Sequence, residues 1–102
     1  MQRDAVITTL RAHEAELRQA GVVALSVFGS VARGDAGDES GVDVVVRLED
    51  ALLRSGFRYF GQLATLETRL REILGTDVDV VAEPVRKEHL RRAIARDRVV
   101  AF

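Results

Sequence analysis

The sequence predicts a small α/β (α+β) domain, in which a mixed sheet of about three strands is flanked by helices in the order αβαβαβα. Two valine-rich runs, at residues 22–28 and 42–47, are short, apolar and β-branched, as buried strands usually are. Other segments carry apolar residues at three- and four-residue spacing, which indicates amphipathic helices. Strands that alternate with helices build one sheet covered by helices on one or both faces.

The first half of the chain is predicted to hold one long helix before the first strand. Residues 3–20 form this helix, which Asp4 is expected to cap. A Gly-Ser pair breaks the strand that follows, and residues 31–33 begin a short helical turn. The next stretch, residues 34–41, is rich in glycine and acids and predicts a surface loop. The buried face of the long helix is expected to carry Val6, Leu10 and Leu17.

The second half of the chain predicts one strong helix, a third strand and a last helix. A stripe of leucine and isoleucine runs through residues 57–74, and Gly75 is a typical helix stop. Residues 77–82 alternate acid and valine and predict the third strand. Residues 85–100 predict the last helix, whose six basic residues against two acids favour either a solvated face or a surface for an acidic partner.

Composition limits the function before any motif is considered. The 102 residues suit one domain, taken as 1–102, and 47% hydrophobic with 30% charged residues is typical of a globular protein. Fifteen basic against sixteen acidic residues argue against direct nucleic-acid binding. The chain has no cysteine, which excludes disulfide scaffolds and thiolate chemistry. Because no signal-peptide or membrane-spanning pattern is present, we expect a cytoplasmic protein without a membrane partner.

Gly29 and Ser30 form the first candidate binding element, because they stand between a buried strand and a helical turn. Backbone N–H groups at the start of a helix have no acceptor within it, and glycine lets a phosphate approach them closely. The Ser30 hydroxyl adds a donor and Arg33 adds a nearby cation. A plain strand-to-helix turn is the alternative interpretation.

Asp43 and Asp79 form the second candidate element. Each stands inside a valine-rich strand, where an ionised carboxylate is costly unless it is paired or bound to a metal. Brought side by side in one sheet, the two acids would hold Mg²⁺ through oxygen ligands, with water and nucleotide phosphates as the other ligands. The alternative is that each acid points to solvent. Found together with the Gly-Ser turn, they favour a metal site.

These segments resemble the minimal nucleotidyltransferase (MNT) family of the DNA polymerase β-like superfamily. In that family a Gly-Ser pair is followed ten residues later by Asp-x-Asp, and a third Asp lies on a later strand. The resemblance covers nearly the whole chain and implies the nucleotidyltransferase (polymerase β-like) fold. The matching residues are Gly29-Ser30, Ala32-Arg33-Gly34, Ser40, Asp43 and Asp79.

The chain departs from the family at one position. Gly41 stands where the family has the first acid of Asp-x-Asp, so one carboxylate of the expected metal site is missing. Asp38 or Glu39 lies close in sequence and is a candidate substitute, although both belong to the predicted loop. Because glycine supplies no side-chain oxygen, the departure predicts impaired transfer activity.

Three functions follow from the resemblance. In the first, the chain is an antitoxin of a HEPN ribonuclease toxin and uses Mg²⁺ and ATP to transfer AMP to a toxin hydroxyl. In that case Gly29, Ser30 and Arg33 hold the nucleotide, while Asp43 and Asp79 are catalytic and bind the metal. In the second, a degenerate transferase neutralises its partner by occlusion, with the basic last helix and residues 99–102 as contact surfaces. In the third, the chain is a nucleotide-sensing or purely structural subunit that binds nucleotide without chemistry; self-association stays open in all three.

Overall fold

One mixed sheet organises the chain, and it has four strands. The computed structural model describes residues 2–35 and 41–102, and its strands are β1 (Val22–Phe28), β2 (Val42–Leu48), β3 (Val78–Ala82) and β4 (Val99–Val100). Their spatial order is β3-β2-β1-β4. β1 is antiparallel to both β2 and β4, whereas β2 and β3 are parallel. The predicted fold class is confirmed, with one strand more than expected.

Six helices are present in the described residues. They are α1 (Arg3–Ala12), α2 (Glu14–Gln19), α3 (Gly29–Arg33), α4 (Asp50–Leu53), α5 (Phe57–Leu74) and α6 (Glu88–Asp97). The parallel pairing of β2 with β3 requires a crossover connection, which α4 and α5 supply. Within the described ranges, no helix is both long enough and apolar enough to cross a membrane.

The main core lies on one face of the sheet, beneath α1 and α5. Because successive strand residues point to opposite faces, every second valine of β2 enters this core. Val42, Val44 and Val46 are fully buried there, together with Val78 of β3. The predicted helix face is confirmed, because Val6, Leu10 and Leu17 are all buried.

A smaller apolar cluster lies on the opposite face of the sheet, which we call the second face. Phe28 and Val45 pack there against Ile94 of α6. α6 also contacts β1 and α3, so it covers part of the second face. The odd-numbered residues of β2, Asp43 among them, therefore belong to the second face and not to the main core.

The first predicted helix was wrong in two respects. The chain leaves the helical conformation at His13, between α1 and α2. At this break the His13 N–H donates to the Leu10 carbonyl, which closes a tighter turn than an α-helix. Asp4 is not the cap, because the helix begins at Arg3 with Gln2 as its N-cap residue. Asp4 instead lies in the first turn, where a carboxylate suits the helix dipole.

The last predicted helix was too long. α6 ends at Asp97, and β4 pairs with Ser26 and Val27 of β1. The Ala101 N–H donates to the Leu25 carbonyl at 2.9 Å, and Ala101 itself is buried. The backbone of the apolar end proposed as a contact surface is thus part of the sheet, whereas the Val100 side chain is 54% exposed.

We expect Leu70→Ala to lower the free energy of unfolding by about 2–5 kcal/mol, because Leu70 is fully buried on α5 and truncation leaves a cavity. Phe57→Ala on the same helix is the matched control, since Phe57 is 96% exposed. Its effect should stay within about 0.5 kcal/mol. Urea denaturation followed by circular dichroism measures both, and equal losses in the two variants would contradict this core.

Candidate active site

The Gly-Ser turn follows directly on the last residue of β1. Gly29 has a φ of 75°, in the left-handed region that favours glycine. A Cβ placed on Gly29 would collide with Oδ2 of Asp43, the residue that follows Val42 on the neighbouring strand. Only glycine therefore fits here, because the turn's backbone lies directly against the Asp43 carboxylate.

Asp43 and Asp79 are direct neighbours in the sheet. Their Cα atoms are partners in the parallel register of β2 and β3. Adjacent strands lie about 4.8 Å apart, so the two side chains leave the same face at that spacing. Asp43 is half-buried and Asp79 is exposed. Since their valine neighbours fill the main core, both acids lie on the second face.

The surroundings of Asp43 disfavour its own charge. Burial raises the pKa of the Asp43 carboxyl above its ordinary value, and the negative charge of Asp79 raises it further. The Arg33 guanidinium acts in the opposite direction and lowers the pKa of Asp43. Among hydrogen bonds between described residues, none reaches the Asp43 carboxylate. Two adjacent carboxylates in this state are a suitable oxygen donor set for a divalent cation.

In the described residues, the oxygen donor set for a metal consists of two carboxylates, those of Asp43 and Asp79. Across residues 2–35 and 41–102, no three acidic, histidine or cysteine side chains are grouped closely enough to hold a metal ion. Asp38 and Glu39, the sequence candidates for a substitute ligand, lie outside the described residues. A metal held by Asp43 and Asp79 would take its other ligands from water, from phosphate oxygens or from a carboxylate that turns towards it.

Arg33, predicted to contact phosphate, is held in an ion pair. Its Nη1 donates to Oδ2 of Asp97 at 2.8 Å, and its Nε donates to Asp35 at 3.3 Å. Asp97 also accepts two hydrogen bonds from Arg96, at 2.8 and 3.0 Å. The buried Asp97 carboxylate therefore ties α3 to the end of α6, beside the Gly-Ser turn. Sequence reasoning missed Asp97, because the contact joins residues 64 positions apart.

Ion pairs also bear on the two interpretations of the basic last helix, as a solvated face or as a surface for an acidic partner. Three of its six basic residues, all arginines, are ion-paired to nearby acids. Arg92 pairs with Glu88, Arg98 with Glu83 and Arg96 with Asp97, each at 2.8 Å. The three pairs fit a solvated face, but surface ion pairs are weak, so a contact with an acidic partner stays a prediction for this helix.

Gly41 lies at the N-terminal end of β2, against Asp77. The Val42 N–H donates to the Asp77 carbonyl at 2.9 Å. A Cβ placed on Gly41 would lie 3.2 Å from that carbonyl oxygen and 3.5 Å from the Asp77 Cβ. An Asp at position 41 would consequently require Asp77 to shift by a few tenths of an ångström.

Together, this sheet order, the Gly-Ser turn and the paired strand acids define a nucleotidyltransferase domain. The chain belongs to that family, because the nucleotidyltransferase domain profile matches residues 10–101.

Individual similar proteins indicate which group of nucleotidyltransferases the chain resembles. The protein adenylyltransferase MntA of Thermococcus cleftensis is 36% identical over 93 residues, which cover 88% of this chain and 86% of MntA. A solved structure provisionally named as a minimal nucleotidyltransferase superposes with a TM-score of 0.75 and 30% identity, over 97% of this chain and 95% of that one. A chain from the complex of tri-AMPylated Shewanella oneidensis HEPN toxin with MNT antitoxin shares the fold, with a TM-score of 0.63, 16% identity and coverage of 99% and 72%. The predicted family is confirmed.

We expect Asp43→Asn to raise the midpoint of thermal unfolding near pH 7 without metal or nucleotide. The raised pKa of Asp43 means that the folded state binds a proton more readily than the unfolded state, so the ionised carboxylate destabilises the fold. The advantage of the variant should shrink as the pH falls through the range in which Asp43 becomes protonated. Thermal unfolding at several pH values measures this, and a lower midpoint for the variant near pH 7 would contradict it.

We expect Asp97→Asn to remove part of the acid sensitivity of the fold. Hydrogen bonds from Arg96, and then from Arg33, lower the pKa of Asp97 from 3.8 to about 2, although burial opposes them. The stabilisation by ionised Asp97 is therefore present above pH 3.8 and is lost as the pH falls towards 2. Wild type should lose more stability than the variant across that window. Asp50→Asn, at an exposed carboxylate, is the control and should follow the wild type.

Proposed function

We propose that the chain is an antitoxin that transfers AMP from ATP to a HEPN ribonuclease toxin, with Mg²⁺ as its cofactor. One observation carries the proposal: Asp43 and Asp79 are partners in adjacent strands, and Asp43 lies against the backbone of the Gly-Ser turn. Carboxylates for a cation and N–H groups for phosphate then meet at one end of the strands, where β1 ends and β2 begins. The 36% identity to a protein adenylyltransferase supports the same activity.

The Gly29-Ser30 turn would bind the phosphates of ATP. The first N–H groups of α3 are without acceptors inside the helix, and Gly29 has no side chain to block them. The Ser30 hydroxyl donates to no described residue, so it is available to a phosphate oxygen. Arg33 would contribute positive charge from its place on Asp97, which fixes where its guanidinium lies.

Asp43 and Asp79 would hold the metal and orient the reacting groups. When bound there, Mg²⁺ supplies charge that stabilises the attacking and leaving oxygens of phosphoryl transfer. The toxin hydroxyl oxygen forms a bond to the α-phosphorus of ATP, the bond to the β-phosphate oxygen breaks, and pyrophosphate leaves. The hydroxyl proton is released to solvent. Asp43 and Asp79 act on this step by fixing positions, which is the larger part of catalysis in such transfers.

The proposed acceptor is a protein, because a structural neighbour of this chain comes from a complex with an AMPylated protein. The structural neighbour from Shewanella oneidensis is an MNT antitoxin in complex with a HEPN toxin that carries AMP groups. We propose that a toxin of the same class is the partner of this chain. We also retain the predictions of a cytoplasmic location and of no direct binding to nucleic acid or membrane.

Neutralisation by occlusion is the second candidate, and Gly41 favours it. With a glycine at the first acid position, one carboxylate of the family's metal motif is missing from β2. A chain with weakened metal binding would still contact a toxin through its surface. The two functions differ in one requirement, because occlusion needs no ATP.

We expect ATP labelled at the α-phosphate to transfer label to the HEPN toxin when this chain and Mg²⁺ are present. Asp43→Asn and Asp79→Asn should each lower the transfer rate by about 100-fold or more, since each removes a proposed metal ligand. Asp50→Asn, at the first residue of α4 beyond the far end of β2, should transfer label at the wild-type rate. Gel autoradiography follows the label, and intact mass spectrometry identifies the adduct.

The same reaction separates the two candidates. If AMP transfer is the function, toxin ribonuclease activity should stay blocked after both ATP and this chain are removed, because the AMP remains attached. If the chain inhibits the toxin equally well with ATP omitted from the start, and no label transfers, occlusion is the function. Unchanged transfer in Asp43→Asn would instead overturn the proposed metal site.

A further inference from the structure

Asp77 lies opposite Gly41 across the β2–β3 pairing. The parallel register joins Val42 with Val78 and Asp43 with Asp79, so the preceding residues of both strands also face each other. The hydrogen bond from the Val42 N–H to the Asp77 carbonyl, at 2.9 Å, continues the pairing to this point. Asp77 therefore stands beside the position where the family has its first metal-binding acid.

Four positions form a square on the second face of the sheet. Asp43 lies on β2 and Asp79 on β3, and residues 41 and 77 are the positions immediately before these two strands. The alternation of strand residues, continued by one step along the pairing, assigns all four positions to the same face. The family pattern places acids at three corners, at positions 41, 43 and 79. This chain also has acids at three corners, but the third one stands at position 77 instead of 41.

The empty corner and the added acid are compatible with each other. A Cβ on Gly41 would lie 3.2 Å from the Asp77 carbonyl oxygen, which is a tight contact, and 3.5 Å from the Asp77 Cβ, which is an ordinary van der Waals contact. Two carboxylates at such closely spaced positions would repel each other. Glycine at position 41 thus leaves the Asp77 carboxylate without a like charge at this corner.

We infer that Asp77 supplies the carboxylate that position 41 lacks, as an additional ligand of the divalent cation held by Asp43 and Asp79. The inference rests on the proposed function. Asp77 is exposed, and no hydrogen bond between described residues occupies its side chain. The three carboxylates do not converge as they stand, so Asp77 turns towards the other two when the cation binds. Its oxygen ligands suit a hard cation such as Mg²⁺ or Mn²⁺.

Binding of Mn²⁺ alone tests this without any measurement of activity. We expect Asp77→Asn to weaken Mn²⁺ binding at least tenfold, because loss of groups that only support a ligand already costs about 10–100-fold. The free-ion electron paramagnetic resonance signal measures the affinity. Asp50→Asn removes an exposed carboxylate from the start of α4, beyond the other end of β2, and should bind as the wild type does. Thermal unfolding of each variant confirms that it is folded.

Exchange of the two residues tests the geometry. Gly41→Asp combined with Asp77→Gly moves the carboxylate to position 41 and avoids the repulsion between two carboxylates, so it should restore Mn²⁺ affinity to within about threefold of the wild type. Gly41→Asp alone should lower the unfolding midpoint, because its Cβ meets Asp77. If the exchange variant is folded but binds no better than Asp77→Asn, the proposed equivalence of the two corners is wrong.

The outcomes for Asp77 and for the proposed site are distinguishable. If Asp43→Asn loses Mn²⁺ while Asp77→Asn binds as the wild type does, Asp77 is not a ligand and the site of Asp43 and Asp79 stands. If the wild type binds no Mn²⁺, or binds it equally well after Asp43→Asn, the proposed metal site is overturned and the role of Asp77 with it.

Discussion

The parallel register of β2 and β3 is the constraint on which both the core and the site depend. Partner residues in this pairing are alike: three valines face valines, Val46 faces Ala82, and Asp43 faces Asp79. One face of the two strands is therefore wholly apolar and fills the main core, while the other carries the acids. A slip by one residue would bury carboxylates and expose valines, so stability and site geometry are specified by the same pairing.

A second, longer-range contact fixes the opposite side of the site. Asp97 is buried at the end of α6 and accepts hydrogen bonds from Arg33 and Arg96. It thereby holds α3, and with it the Gly-Ser turn, against α6, which is distant from α3 in the sequence. An ionised carboxylate at such depth is tolerated because two guanidinium groups satisfy it. The site is consequently bounded by β2 and β3 on one side and by this ion pair on the other.

What the sequence could predict was local. The valine runs and the leucine stripe of α5 marked their elements closely, because each pattern repeats within a few residues. β4 was missed because two residues carry no periodicity and its pairing comes from the distant β1. The alternation of acid and valine did place Asp77 on the face of Asp79, but its position opposite Gly41 required the register. The same limit hid the ion pair between Asp97 and Arg33.

The close approach of Gly41 and Asp77 also constrains the evolution of these two positions. An acid introduced at position 41 meets Asp77, and loss of Asp77 alone leaves that corner of the sheet without a carboxylate. If Asp77 binds the cation, each single step is unfavourable on its own, although the two together exchange one arrangement for another. The two positions are expected to be epistatic, so that lineages of this fold carry an acid at one of them and a small or neutral residue at the other.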